Sequence, residues 1–191
     1  MNEITSTINT PNTLYGNVSL NILSKAKKIK LLVCDVDGVF SDGRIYLGND
    51  GEELKAFHTK DGFGIKALGS SGVAVAIITG RRSVIVANRM SALNVEHIVQ
   101  GQEDKLPALM NLAKELNLAT DEIAYIGDDI PDLACIVHVG LGIAVSDAHP
   151  AVSTQADYTT FTRGGFGAVR EICDLIMQCQ CTLDDATGAS V

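Results

Sequence analysis

Two aspartates, Asp35 and Asp37, close the apolar run "LLVCDVDGVF" at residues 31–40. At a spacing of i, i+2 on extended backbone their side chains point the same way, and a turn at Gly38 lets both face one cavity. Two bare carboxylates in one place repel and perturb each other's pKa unless a cation or a shared proton lies between them. A hard divalent cation resolves the conflict, and magnesium characteristically takes one or two protein carboxylates together with phosphate oxygens and water. An aspartate can also attack phosphorus, forming an aspartyl-phosphate that splits ester hydrolysis into two easier steps. A second acid then protonates the leaving alcohol and later deprotonates water. A solvated turn explains Asp37 and Gly38 well enough, but it explains poorly why Asp35 ends an apolar strand.

Three further stretches carry residues suited to the same chemistry. In "IITGRR", Thr79 and Gly80 supply a hydroxyl and free backbone N–H groups ahead of a helix, an arrangement that favours anions. Lys105 opens the helical pattern "KLPALMNLAKELNL", where a cation is unfavourable to the helix dipole unless an anion is near. The run "YIGDDIPDLACI" ends an apolar strand on a glycine and follows it with Asp128, Asp129 and Asp132. Asp132 has an innocent use as a helix cap, but three acids exceed what capping needs. A metal ligand from this loop would complete a carboxylate set with Asp35 and Asp37.

The elements that must position these residues are legible in the hydrophobic pattern. The runs "IKLLVCDVD", "GVAVAIITG", "EIAYIGDD" and "GLGIAV" are short and mostly without polar alternation, and helical patterns separate them. That predicts an α/β fold, a Rossmann-like parallel sheet with helices on both faces. The polar motifs lie at the carboxyl ends of the strands, where open parallel sheets bind ligands, so they are expected to converge. Residues 43–60 break the alternation: two strand-like runs flank "NDG", predicting a small β-hairpin flap. The expected organisation is a loose N-terminal arm over residues 1–16 with a helix to residue 28, one domain over 29–180, and a flexible tail over 181–191.

Composition narrows the partners. With 191 residues, 46% of them hydrophobic, the chain has material for one well-buried core. A net charge of −8 opposes nucleic acid and anionic membranes, so an anionic ligand must be held by local cations or a metal. Five cysteines, an odd number with three in apolar stretches, fit a reducing cytoplasmic compartment. The first residues have no basic start leading into an apolar core, and no segment approaches the roughly 18 apolar residues of a membrane span.

The ordered set "DVDGVFSDG", "ITGR", Lys105 and "GDDIPD" resembles the four motifs of the haloacid dehalogenase-like phosphatases, over about residues 30–175. The resemblance implies Asp35 as nucleophile, Asp37 as general acid/base, and Thr79 and Lys105 as phosphate ligands. It implies Mg2+ held by Asp35, the backbone carbonyl of Asp37 and Asp128, with Asp129 in support. Response-regulator receivers use similar parts, but with an adjacent acidic pair ahead of the phosphorylated aspartate, an order not found here. Only the flap and one helix separate the first two motifs, and about twenty residues lie between Thr79 and Lys105, so no large cap domain fits. The capless layout, with "FHTKDGFGIKAL", "AVSDAHP" and "RGGFGAVREICDLI", is similar to members acting on a small sugar-acid phosphate, 3-deoxy-D-manno-octulosonate 8-phosphate, in lipopolysaccharide precursor synthesis. This implies a homotetramer with sites near subunit interfaces, where Lys60, Arg81 and Arg163 supply cations and His149 shapes a site loop. A sialic-acid-type nonulosonate 9-phosphate is the alternative substrate, and a non-catalytic oligomerisation module is the alternative of a different class.

Overall fold

A computed structural model describes residues 12–186 of the chain. In chain order the elements are β1 (Asn12–Thr13), β2 (Gly16–Asn17), α1 (Leu20–Ala26), β3 (Leu31–Cys34), β4 (Tyr46–Leu47), β5 (Glu53–Leu54), α2 (Thr59–Ser70), β6 (Ala74–Thr79) and α3 (Val84–Ala92). There follow β7 (His97–Gln100), α4 (Lys105–Glu115), β8 (Ile123–Gly127), α5 (Ile130–His138), β9 (Leu141–Ala144), α6 (Pro150–Ser153), β10 (Tyr158–Thr159) and α7 (Ala168–Cys179).

Six strands form one parallel sheet in the order β10-β9-β8-β3-β6-β7. This is the doubly wound order that reverses direction between the first strand, β3, and the fourth, β8. β3 is wholly buried because it lies between β8 and β6 with helices on both faces. Its side chains alternate between two cores. Leu32 and Cys34 pack with α1, α2, α3 and α7 through Ile22, Leu68, Met90 and Ile172. Leu31 and Val33 pack with α4 and α5 through Leu109, Leu112 and Ile136. By the same period of two, Asp35 falls on the α4 and α5 side, where the charged helix starts lie.

β4 and β5 pair only with each other, as the antiparallel flap expected over residues 43–60, and its turn closes where Gly48 N–H donates to Glu52 O and Gly51 N–H to Gly48 O. Among the described residues only this flap separates β3 from α2, and only α3 and β7 separate β6 from α4, so no large cap is present.

The ends of the chain differ from the expectation. Residues 12–16, read as part of a loose arm, belong to a short hairpin anchored by Tyr15, whose hydroxyl donates to Asp174 Oδ2 at 2.8 Å. The first part of that arm lies outside the described residues. The tail over 181–186 is held: Thr182 N–H donates to Met177 O, and Leu183 and Ala186 pack on the core. The rest of the tail, 187–191, also lies outside the described residues.

Candidate active site

The site forms at the carboxyl end of β3. Asp35 N–H still donates to Ile126 O of β8 at 3.1 Å, so the residue is fixed in the ladder and its carboxylate is 5% exposed as a residue. Lys105, the first residue of α4, is 4% exposed and bridges Asp35 Oδ1 at 2.8 Å and Asp132 Oδ1 at 2.7 Å. Asp132, on the first turn of α5, is saturated. Its Oδ1 also accepts from the buried Tyr125 hydroxyl at 2.7 Å, and its Oδ2 accepts from the N–H of Asp128 at 3.0 Å and of Asp129 at 3.2 Å. One buried acid thereby holds the Asp128 loop and the Lys105 ammonium.

Asp35, Asp128 and Asp132 each bring a carboxylate oxygen within 4.8 Å of the others. Burial, reinforced by Asp132, raises Asp35 above its usual value against the opposing pull of Lys105. Asp128 is pushed up to about 8 by burial, then by Asp35 and Asp132. Lys105 is raised as well: burial would lower it, but the two carboxylates outweigh burial and hold it protonated. One ammonium against three carboxylates leaves the Asp35 and Asp128 side short of positive charge. Two oxygen donors facing each other in an anionic cluster fit a hard dication of the magnesium type. Gly38, at φ +96°, is what lets Asp128 approach, because a Cβ there would fall on the Asp128 carboxylate.

Asp37 faces a different set of partners. Lys55, just beyond β5, pairs with Asp37 Oδ1, and Ser41 Oγ donates to the same oxygen at 3.4 Å. Lys55 Nζ lies 3.4 Å from Glu53 Oε1, and Glu53 Oε2 accepts from Arg81 Nη2 at 2.8 Å. The loop after Asp37 is pressed from behind by residues 163–165: Gly165 N–H donates to Val39 O at 2.8 Å, and Gly164 lies so close to Gly38 O that no side chain fits.

The residues singled out in the sequence fare differently. Asp35, Lys105 and Asp128 come together. Thr79, 2% exposed, and Gly80 end β6, the strand beside β3. Arg81 is engaged by Glu53 of the flap. Asp129 stands outside the three-carboxylate cluster: its side chain accepts from Ile130 N–H at 2.8 Å as the N-cap of α5, and Asp132 has the capping use expected of it as well, its Oδ2 accepting from Asp129 N–H. Lys60 is exposed on the first turn of α2 and has no ion pair among the described residues. Arg163 is exposed, paired with Asp147 at 3.0 Å and stacked over Phe166. His149 backbone N–H donates to Asp128 O at 2.7 Å, while its side chain caps α6 by accepting from Ala151 N–H at 3.2 Å. Lys55, Glu53 and Tyr125 were missed, and Asp132 was read as a cap without its bonds to Lys105 and Tyr125. Spacing gave no signal for the inward turn of Asp132, and Lys55 lies just beyond β5, where no periodicity points it at Asp37.

The acidic cluster at the reversal of strand order, the Thr-Gly turn and the helix-opening lysine define a haloacid dehalogenase-like hydrolase, and residues 88–170 match that family. Over 179 residues the chain is 50% identical to a 3-deoxy-D-manno-octulosonate 8-phosphate phosphatase of Salmonella typhi, covering 94% of this chain and 95% of that one. The crystal structure of such a phosphatase from Yersinia pestis superposes with a TM-score of 0.93 at 49% identity, covering 95% of this chain and 98% of that one. One from Moraxella catarrhalis, in complex with magnesium, phosphate and KDO, superposes with a TM-score of 0.85 at 48% identity, covering 86% of this chain and 94% of that one. The chain belongs to the 3-deoxy-D-manno-octulosonate 8-phosphate phosphatase family of haloacid dehalogenase-like hydrolases.

Proposed function

We propose that this chain hydrolyses 3-deoxy-D-manno-octulosonate 8-phosphate to the free sugar acid and phosphate, with magnesium, through a phosphoryl group carried on Asp35. The observation that carries the proposal is the buried Asp35 carboxylate at the end of the central strand, paired with Lys105 and facing Asp128. The Asp35 carboxylate attacks phosphorus as the bond from phosphorus to the C8 oxygen breaks, and Asp37 gives its proton to that oxygen. Water then attacks the same phosphorus, Asp37 takes a water proton, and the bond to Asp35 breaks to release phosphate.

Asp35 and Asp128 with the backbone carbonyl of Asp37 would hold magnesium, which when bound neutralises charge on the nucleophile and the phosphate. Asp129 supports this set through the α5 cap it forms. Lys105 uses two of its three N–H donors on Asp35 and Asp132 and keeps the third for a phosphate oxygen. Thr79 and Gly80 complete the phosphate cradle from the neighbouring strand. Lys60, Arg81 and Arg163 recognise the sugar acid.

The flap leaves Ile45, Tyr46, Leu47 and Leu54 exposed together, the kind of apolar surface that a subunit interface covers. A homotetramer with sites near its interfaces would supply the cover that a capless site lacks. The five free cysteines suit a cytoplasmic enzyme, and no helix of the described residues is long and apolar enough to cross a membrane. The substrate is tested by comparing kcat/KM for 3-deoxy-D-manno-octulosonate 8-phosphate and a nonulosonate 9-phosphate, with magnesium and with chelator. A clear preference for the first, lost with chelator, is expected; preference for the second would replace the substrate assignment.

A further inference from the structure

Lys55 stands outside the motifs of the sequence, yet its side chain is fully enclosed. A buried ammonium persists only where anions surround it, and here they are Asp37 and Glu53. Glu53 is braced in turn by Arg81, which follows the Thr79-Gly80 turn, so charges alternate from Asp37 through Lys55 and Glu53 to Arg81. The chain of pairs joins the loop after β3, the flap and the loop after β6. The flap strands pair only with each other, and this network ties them to the site.

The pairing is also one-sided. Lys55 and Ser41 both address Asp37 Oδ1. The other oxygen, Oδ2, has no hydrogen-bond partner among the described residues. We propose that Lys55 is a positioning residue for the reaction: it holds Asp37 by Oδ1 so that Oδ2 meets the oxygen leaving phosphorus, which makes the flap part of the proton-transfer apparatus. This inference rests on the phosphatase reading above. In the first step the proton on Asp37 Oδ2 passes to the departing oxygen as the Asp35 bond to phosphorus forms. In the second, a water proton returns to Oδ2 as the water oxygen bonds phosphorus and the Asp35 bond breaks. Lys55 keeps its own protons in both.

A leaving-group comparison separates positioning from a merely structural role. An alkoxide needs a proton to leave, whereas p-nitrophenolate leaves without one, so misplacing Asp37 harms only the first substrate strongly. Lys55→Met should lower kcat for the sugar-acid phosphate by about 100-fold with KM within about threefold, which separates proton transfer from the sugar-acid contact of Arg81, and should lower kcat for p-nitrophenyl phosphate by no more than about threefold. Lys55→Arg should recover a large share of the loss, and Glu53→Gln should show the same substrate-selective loss in weaker form. Thermal unfolding of each variant, within about 2 °C of the unaltered protein, shows that the fold is kept. Equal losses on both substrates, or no loss on either, would overturn the assignment of Lys55 while leaving the phosphatase intact. If the unaltered protein released phosphate from neither substrate, the reading and the inference would fall together.

Discussion

Lys105 sits between two buried carboxylates, and the balance of the site turns on it. Removing its charge leaves Asp35 and Asp132 facing each other without compensation, a change that costs about 3 kcal/mol where a buried pair loses one partner. Lys105→Met is therefore expected to unfold in urea at markedly lower concentration in metal-free buffer. Adding Asp35→Asn should restore part of the loss, since one of the stranded charges is gone. Asp128 has no such cation and is the group a dication would relieve. Magnesium is expected to raise the melting temperature of the unaltered protein, and Asp128→Asn should abolish most of that rise, as measured by differential scanning fluorimetry. At this scale the motif acids were legible because two carboxylates at i, i+2 after an apolar strand are chemically conspicuous. Asp132 was not, because spacing does not tell whether a first-turn acid turns to solvent or inward to Tyr125 and Lys105. Lys55 escaped for a related reason: only the folded flap carries it across to Asp37.

Two contacts join elements that are distant in sequence, the first of them at the motif loop. The first is the close approach of Gly164 to the Gly38 carbonyl, backbone against backbone, where neither side can swing away. Gly164→Ala is expected to push the Asp37 loop aside and lower kcat by at least about tenfold, with a folded protein by circular dichroism. The second is Asp61 of α2, 1% exposed, whose Oδ1 accepts from Arg170 N–H at 2.8 Å at the start of α7 and whose Oδ2 is buried without a partner. Gly167, the N-cap of α7, has no side chain, so Asp61 caps the helix from outside. Burial pushes Asp61 up to about 6 from 3.8, although the N–H groups of Arg170, Gly167 and Val169 and the Arg170 charge pull it down. Because the folded protein holds this proton more tightly than the unfolded chain, the associated stability is present below about pH 4 and is lost as pH rises through about 6. Relative to Asp61→Asn, the unaltered protein should lose on the order of 2 kcal/mol of unfolding free energy between pH 4 and pH 7, read from urea denaturation at both pH values. Asp35 and Asp128 titrate in both proteins and cancel in the difference.

β3, β6, β8 and β9 were readable because burial on both faces demands continuous apolar runs. β7, "HIVQ", and the two-residue β10 lie toward the sheet edges, where half-burial permits polar residues and the pattern fades. The flap was legible from its turn residues, whereas its ion pairs to Asp37 were not.

For the molecule as a whole, the order of the sheet explains why the chemistry sits where it does. β3 and β8 are neighbours although α2, β6, α3, β7 and α4 separate them in sequence, and their carboxyl ends open at the point where the winding reverses. An acidic protein must build its anion site from a few enclosed cations, and Lys55 and Lys105 are both enclosed. The exposed apolar flap is the surface on which the proposed assembly rests. Leu47, 72% exposed, is its most protruding member. If the proposed homotetramer forms through this flap, Leu47→Asp is expected to yield smaller species in sedimentation velocity and to lower turnover in parallel. A monomeric unaltered protein would refute that assembly.

The claim beneath all of this is that phosphate passes through Asp35. The direct measurement is rapid acid quenching of the magnesium-loaded protein during turnover of 3-deoxy-D-manno-octulosonate 8-phosphate, followed by mass spectrometry of the peptide carrying residues 31–40. The account predicts phosphorylated Asp35 within the first turnover, with neither adduct nor phosphate release in Asp35→Asn. Phosphate release with that peptide unmodified, or undiminished by Asp35→Asn, would contradict it.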